Sequence, residues 1–338
     1  MTTPIRFAAV GLNHPHIYSQ VDLLLRAGAE LAAFYAPESD LAAAFVSRYG
    51  DVRRAADYDE ILQDETIVLI VTAAIPNERA DIGIAAMRHG KDVMSDKPAW
   101  TTLDQLAAAR DVQAETGRIY SVCYSERFEN AATIKAGQLV HSGAIGKVVQ
   151  TIGLGPHRAN LANRPPWFFR REQYGGILAD IAAHQADQFL YFTGSTAFEI
   201  VSSQVGNVAH PDYPELEDFG DFIVRGDGGT GYVRVDWFTP DGLATWGDTR
   251  LTVLGTEGYI EVRKNIDIAG RPGGNHLFLV DHAGTRYIPS DDVELSYGRL
   301  LLDDIRNRTE TAMPQAHAFL ASQLALEAQQ KARRFGNL

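Results

Sequence analysis

Between residues 5 and 124 short β-rich runs alternate with helical patterns, and this alternation constrains the fold more than any other feature of the chain. Residues 5–10 read as a buried strand. Ile17, Val21, Leu24 and Leu25 then recur at helical spacing, and Gly28 suits a C-terminal cap. A strand over 31–35 precedes a helix over 40–49 that stops at Gly50. Residues 67–71, Ile-Val-Leu-Ile-Val, form the most apolar run of this half, as a strand covered on both faces should. A helix over 78–89 ends at Gly90 and a strand over 92–94 follows. Thr102 and Gln105 make a capping box for a helix that ends at Gly117, and a strand over 119–124 closes the series. Strands and helices in this order predict right-handed βαβ units and a doubly wound parallel sheet.

The pattern changes after Ser125. Helical stretches over 131–141 and 177–192 are followed by mostly β-sequence. Runs over 219–225 and 231–238 flank Gly226-Asp227-Gly228-Gly229, a hairpin signal. Further strands fit 251–254, 259–263 and 277–281, and Pro314 opens a final helix to about residue 334. The expectation is an α/β chain of two domains. Residues 1–125 form a Rossmann-type doubly wound parallel sheet. Residues 126–338 form an α+β domain with a large, mostly antiparallel open sheet.

With 338 residues, each domain is large enough to bury its own core. A formal charge of -12 argues against sequence-independent binding to nucleic acid, which needs Lys and Arg for phosphate neutralisation. The one cysteine, Cys123, excludes an intrachain disulfide and lies in an apolar run where an inert thiol is expected. No apolar run approaches the roughly 20 residues of a membrane span. The N-terminus shows no apolar leader, so a cytoplasmic location is the expectation.

A strand feeding a tight turn and then a helix can bind a diphosphate, because helix N-terminal amides and the helix dipole attract the anion. Here the turn reads Gly11-Leu12-Asn13-His14-Pro15-His16. Only the first glycine of G-x-G-x-x-G is present. Asn13 holds the second place, and Asn tolerates left-handed geometry better than most residues. His16 holds the third. Pro15 works against His14 and His16 converging on one ion, so no metal site is expected. After the second strand the place for a ribose-binding acid falls on Ala36, with Glu38 as substitute. No Arg or Lys stands there for a 2′-phosphate, which favours NAD and leaves NADP open.

Asp96-Lys97-Pro98 follows the strand at 92–94, which puts Lys97 at a strand's carboxyl end, where open α/β sheets bind ligands. In Gly175-Gly176-Ile177-Leu178-Ala179-Asp180-Ile181-Ala182-Ala183-His184 the acid and the imidazole are four residues apart, on one face of a helix, with Asp187 nearby. These segments resemble the Gfo/Idh/MocA oxidoreductases, the glucose–fructose oxidoreductase and inositol dehydrogenase family. The resemblance covers nearly the whole chain. Pro76-Asn77, Asp96-Lys97-Pro98 for the family's E-K-P, Gly143-Ala144-Ile145-Gly146-Lys147-Val148, Trp167, the Gly-Gly…Asp…His segment and Gly255-Thr256-Glu257-Gly258 stand in the family's order. Asn13, His16, Ala36, Asp96 and Ser125 depart from its pattern.

The resemblance implies hydride transfer between a nicotinamide and a secondary alcohol of a sugar, inositol or sugar derivative. The alcohol's proton then needs an acceptor within hydrogen-bond reach. The family's roles carry to Lys97, Asp180 and His184 as catalytic residues. Either Lys97 or His184 handles the proton, and Asp180 orients the substrate or its partner. The expected cofactor contacts are Gly11, Leu12, Asn13, His14, His16, Ala36, Glu38, Thr72, Pro76, Asn77, Asp96, Lys97 and Tyr124. Substrate contacts are expected from Lys97, His157, Arg158, Trp167, Asp180 and His184. Two other readings stay open: an NAD-using glycosidase acting by transient oxidation and elimination, and a non-catalytic ligand-binding member. The resemblance also implies a homodimer or homotetramer built through the open sheet face.

Overall fold

The computed structural model describes residues 3–336. They fall into two compact units. The first comprises residues 3–123 and 296–319, and the second residues 124–295 and 320–336. Residues 296–319, which a division of the chain at 125 puts with the second domain, thus pack with the first unit.

In the first unit the chain runs β1 (Arg6–Val10), α1 (His16–Arg26), β2 (Glu30–Tyr35), α2 (Ser39–Tyr49), β3 (Arg53–Arg54), α3 (Tyr58–Gln63) and β4 (Leu69–Thr72). A 3-10 turn at Pro76–Glu78 leads into α4 (Arg79–Arg88), β5 (Asp92–Asp96), α5 (Leu103–Thr116) and β6 (Tyr120–Cys123). All six strands are parallel, in the order β3-β2-β1-β4-β5-β6. The direction of winding reverses between β1 and β4, the place where such sheets bind ligands beyond their carboxyl ends. Every residue of β4 and β5 is buried. Thr102 caps α5 by accepting from the Gln105 amide (3.1 Å), and Gly117 ends it in the left-handed region. Gly83 on α4 lies so near β6 that a Cβ there would come within 2.3 Å of the Tyr120 ring. The chain contributes a further helix to this unit later.

The second unit opens with α6 (Ser125–Phe128), α7 (Ala131–His141) and β7 (Val148–Pro156). Next come α8 (Arg171–Tyr174), α9 (Ile177–Asp180), α10 (Ala183–Thr193), β8 (Phe198–Asn207), β9 (Phe219–Gly226) and β10 (Thr230–Asp236). After them run β11 (Arg250–Gly255), β12 (Gly258–Arg263), β13 (His276–Asp281) and β14 (Gly284–Tyr287). Helix α11 (Tyr297–Asn307) belongs to the first unit. Helix α12 (Gln315–Lys331) contributes to both, and β15 (Arg333–Gly336) ends the described chain. Nine strands form one sheet in the order β14-β13-β12-β11-β7-β10-β9-β8-β15. All neighbours are antiparallel except β7 with β10 and β8 with β15.

Side-chain alternation gives this sheet two unlike faces. Phe222, Val233, Gly153, Leu251, Val262 and Leu277 are paired across six strands, and all are buried. The adjoining row, Ile223, Tyr232, Ile152, Thr252, Glu261 and Phe278, is exposed or half-buried. Helix α7 packs on β12 and β13, and α10 on β7 and β10.

Several expectations shift. The strand placed at 67–71 starts only at Leu69, because the Ile67 amide donates back to the Asp64 carbonyl (3.1 Å). The helix placed at 177–192 is interrupted between Asp180 and Ala183. There the Ala182 amide reaches back five residues to Ile177 (3.4 Å) and the His184 amide only three, to Ile181 (3.2 Å). The final helix stops at Lys331, since residues 333–336 pair with β8 instead. No helix of the described residues is long and apolar enough to cross a membrane.

Candidate active site

One group of the expected residues is gathered where the first unit's sheet reverses its winding. Gly11 follows β1 with φ of 71°, and a Cβ there would meet the Ala74 Cβ at 2.4 Å, so glycine is required on both backbone and steric grounds. The Ala73 amide donates to the Gly11 carbonyl (3.2 Å) and the His14 amide to the Ala73 carbonyl (2.8 Å), tying the β1–α1 turn to the end of β4. Thr72 is buried and its hydroxyl accepts from the Ala74 amide (3.3 Å). Leu12 is buried as well.

Beyond this turn lies a cavity of about 450 Å³ lined by Gly11, Asn13, Tyr35, Glu38, Asn77 and Glu78 among others. Asn13 donates its amide to Glu38 Oε1 (2.7 Å). Glu38 Oε2 and Asn77 Oδ1 are buried acceptors that no donor among the described residues reaches. Burial and the neighbouring Glu38 push the Glu78 carboxyl up. Ala36 is buried, and its carbonyl accepts from Arg54 (2.8 Å). Pro76 starts the 3-10 turn before α4.

Asp96, the last residue of β5, is the electrostatic hub of this half. His16 Nδ1 lies 3.0 Å from Asp96 Oδ1, His14 Nδ1 3.6 Å from Oδ2, and the Arg79 guanidinium 3.2 Å from Oδ2. Burial alone would raise the Asp96 carboxyl, but His16 and Arg79 outweigh it and hold the group well below the usual carboxylate range. Burial, with the nearby His16, pushes His14 well below the ordinary imidazole value and keeps it neutral. Pro15 does not hold the two imidazoles apart: their ring centroids are 4.1 Å from each other. Arg79, fully buried, donates to the carbonyls of Ala74 (2.8 Å), Lys97 (2.7 Å) and Pro98 (3.0 Å). It thereby clamps the backbone that follows the buried Lys97 side chain.

Asp180 and His184 belong to the second unit. Gly175 and Gly176, both at positive φ, precede α9, whose first amides are taken by buried side chains. Ile177 donates to Glu217 Oε2 (3.0 Å) and Leu178 to Gln329 Oε1 (2.8 Å). A Cβ on Gly176 would meet that Gln329 amide group at 2.4 Å. Asp180 ends α9 and His184 enters α10, so the break in the helix, rather than a continuous turn, sets their spacing. His184 is buried with the Tyr124 ring edge-on to it, centroids 6.3 Å apart. The Tyr124 hydroxyl pairs with Ser322 (2.9 Å), and burial pushes its ionisation far up.

A buried polar cluster surrounds His184. Arg127 makes a two-point ion pair with Asp187 (2.6 and 2.7 Å). Glu126 Oε2 accepts from Lys264 (2.6 Å) and Gln185 (3.0 Å), and Lys264 also donates to Gln188 (2.7 Å). Gly153 on β7 makes room for Gln185, since a Cβ there would come within 2.7 Å of its side chain. Burial opposes ionisation of Glu126, but Lys264, then His184 and His157, hold its carboxyl at about 2.

Other expected contacts have other work. Arg158 spends its guanidinium on the carbonyls of Leu243 (2.6 Å) and Thr245 (3.0 Å). His157 packs at a tilt against Trp246, with centroids 4.5 Å apart. Trp167 is half-buried beside Phe168. Sequence reasoning passed over Arg79, Glu126, Arg164 and Lys264. Arg164 lies over the rings of Phe168 (4.4 Å) and Trp237 (4.9 Å), within electrostatic range of Asp180. An isolated charged residue carries no periodic signal, and only the fold shows its partner.

Residues 5–124 match the model of an oxidoreductase family with an NAD-binding Rossmann fold, and residues 133–261 match the GFO/IDH/MocA C-terminal domain. The chain belongs to the Gfo/Idh/MocA oxidoreductase family. Scyllo-inositol 2-dehydrogenase (NAD(+)) of Bacillus subtilis is 27% identical over 308 residues, 88% of this chain and 86% of that protein. A crystal structure of an oxidoreductase from Erwinia carotovora atroseptica superposes with a TM-score of 0.96 at 48% identity, over 98% of this chain and all of the other. Levoglucosan dehydrogenase in complex with NADH and levoglucosan shares the fold, with a TM-score of 0.81 at 18% identity over 98% of this chain and 97% of that one.

The Glu126 carboxyl, held at about 2 against an ordinary 4.5, sets a pH dependence. A depressed carboxyl contributes stability above its unfolded value and loses it as pH falls towards the folded one. Wild-type stability is therefore expected to decline between about pH 4.5 and pH 2. Glu126→Gln, which leaves Lys264 buried without its counter-charge, should cost about 3–5 kcal/mol at pH 7 and flatten that decline. Urea melts at a series of pH values measure both.

Proposed function

We propose that the protein is an NAD-preferring dehydrogenase that oxidises a secondary alcohol of an inositol, sugar or sugar derivative. The observation that carries the cofactor half is the pair of buried acceptors without donors, Glu38 Oε2 and Asn77 Oδ1, beside a cavity next to the glycine turn. Buried acceptors left unmade are costly, and ribose hydroxyls are the donors that would satisfy them. Gly11 fits the same group, because its missing Cβ keeps the turn narrow where a diphosphate approaches. The acids Glu38, Glu78 and Asp81 line the cavity and would repel a 2′-phosphate, which favours NAD over NADP.

When bound, the nicotinamide supplies the hydride acceptor. The chain supplies the rest. Gly11, Asn13 and the start of α1 would receive the diphosphate, and Glu38 the adenosine ribose. Arg79 fixes the backbone at Lys97 and Pro98, so that the Lys97 amine leaves a rigid strand end. Lys97 or His184 takes the alcohol's proton and Asp180 holds the hydroxylated substrate. Support for the substrate class comes from the relatives, among them scyllo-inositol 2-dehydrogenase and levoglucosan dehydrogenase.

A panel of inositols and aldoses with NAD+, followed by absorbance of the reduced nicotinamide, tests the activity. On a substrate so found, Lys97→Ala and His184→Ala should each lower kcat/KM by 100-fold or more, on the order of the general acid–base contribution. Full turnover in both variants overturns the assignment. Glu38→Ala should lower kcat/KM with NAD+ roughly tenfold and narrow its advantage over NADP+. An unchanged ratio places cofactor selection elsewhere.

We further infer assembly through the open sheet face. Ile223, Tyr232 and Ile152, neighbours across three strands of that row, make an apolar patch that a second copy would cover. Light scattering after size exclusion should show a dimer or tetramer, and Ile223→Lys should shift it to smaller species. A wild-type monomer refutes assembly.

A further inference from the structure

We propose that His14, His16 and Asp96 form a binding site for a transition-metal dication of the Zn2+ type, placed on the β1–α1 turn so that metal and dinucleotide exclude each other. Only the second clause rests on the functional reading above. One ligand atom from each of His14, His16 and Asp96, an imidazole nitrogen or a carboxylate oxygen, lies within 4.8 Å of the other two. A tetrahedral ion with bonds of about 2.0–2.1 Å spaces its ligand atoms about 3.3–3.4 Å apart. His16 Nδ1 lies 3.0 Å from Asp96 Oδ1 and His14 Nδ1 3.6 Å from Oδ2, so the carboxylate presents one oxygen to each imidazole at spacings near that value.

The three ligands come from ordered backbone. Asp96 ends β5, His14 is anchored by its amide on the Ala73 carbonyl, and His16 begins α1. Arg79, fixed by three carbonyls, faces Asp96 Oδ2 and orients the carboxylate, leaving Oδ1 towards His16. An outer-shell partner of this kind commonly aligns a metal-binding carboxylate. Without metal, His14 Nδ1 accepts the His16 amide (3.2 Å) and His16 Nδ1 meets Asp96, contacts that coordination would replace. The His16 side chain is 39% exposed, which gives an ion a way in.

The ligand set also selects the metal. Two imidazoles and one carboxylate suit Zn2+, Ni2+ or Cu2+, whereas Mg2+ and Ca2+ want oxygen ligands. The Arg79 guanidinium and the start of α1 are both positive, so they disfavour weakly bound cations and favour an anion or hydroxide in the fourth position. In the functional reading the diphosphate needs the β1–α1 turn that carries His14 and His16, so an ion held by those side chains would compete with it.

The test uses chelator-treated full-length protein without cofactor. Titration with Zn2+ is expected to fill one site per chain with micromolar or tighter affinity, and Co2+ is expected to give the intense visible absorption of a four-coordinate ion. His16→Ala and His14→Gln, checked for folding by circular dichroism, should each weaken Zn2+ binding at least tenfold and abolish the Co2+ band. Zn2+ binding that is unchanged in both variants, or Co2+ bound without that band, overturns the site and assigns the uptake to other surface histidines. Added NAD+ should weaken the apparent Zn2+ affinity. Undiminished binding at saturating NAD+, with the Co2+ band intact, leaves the metal site standing but overturns the exclusion clause. A thermal shift by NAD+ in metal-free protein reads the dinucleotide site separately.

Discussion

One buried negative charge, the Asp96 carboxylate, organises the first unit's functional edge. It draws in His16 and Arg79, and Arg79 in turn holds the carbonyls of Ala74, Lys97 and Pro98. The ends of β4 and β5 and the β1–α1 turn are thereby locked to one another where the winding of the sheet reverses. A buried arginine and a buried carboxylate are costly apart, and here each supplies what the other lacks. The arrangement also fixes the strand end from which Lys97 departs.

The second unit solves the same problem by other means. It places Asp180 and His184 on either side of a break between two short helices. It holds the first of those helices through Glu217 and Gln329, which take up its N-terminal amides. Beneath His184 the pairs Arg127–Asp187 and Glu126–Lys264 carry two positive and two negative charges in a buried layer over β7. Gly153 and Gly155 on β7 let the Gln185 side chain of α10 descend onto the sheet, where a larger residue would hold it off. The same sheet buries one row of side chains and presents the next, so a single strand pattern yields both the platform for this layer and an exposed face.

Much of this was legible in the chain. The doubly wound first domain followed from periodicity, and the family from Asp96-Lys97-Pro98 and Gly175-Gly176…Asp180…His184 taken in order. Short or isolated features were not. The two-residue strand β3 and the four-residue helices are below the length at which a period shows. The break after Asp180 was hidden because its residues, Ile181 and Ala182, suit an unbroken helix. Pro15 suggested that His14 and His16 diverge, yet the turn brings their rings together, because the His14 amide is tied to Ala73 on a neighbouring strand.

By itself, then, the sequence determined the order of the main strands and helices, the glycine at the first turn and the family, through the motifs that carry Lys97, Asp180 and His184. These depend on local periodicity, on a single backbone angle or on short motifs. Tertiary structure decided which residues face which: Arg79 against Asp96, Glu126 against Lys264, Arg158 against loop carbonyls rather than outward. It also decided that residues 296–319 pack with the first unit and that β15 pairs with β8. Ion pairs and strand pairs join residues from tens to more than a hundred positions apart. Burial selects those partners only once the chain has closed on itself.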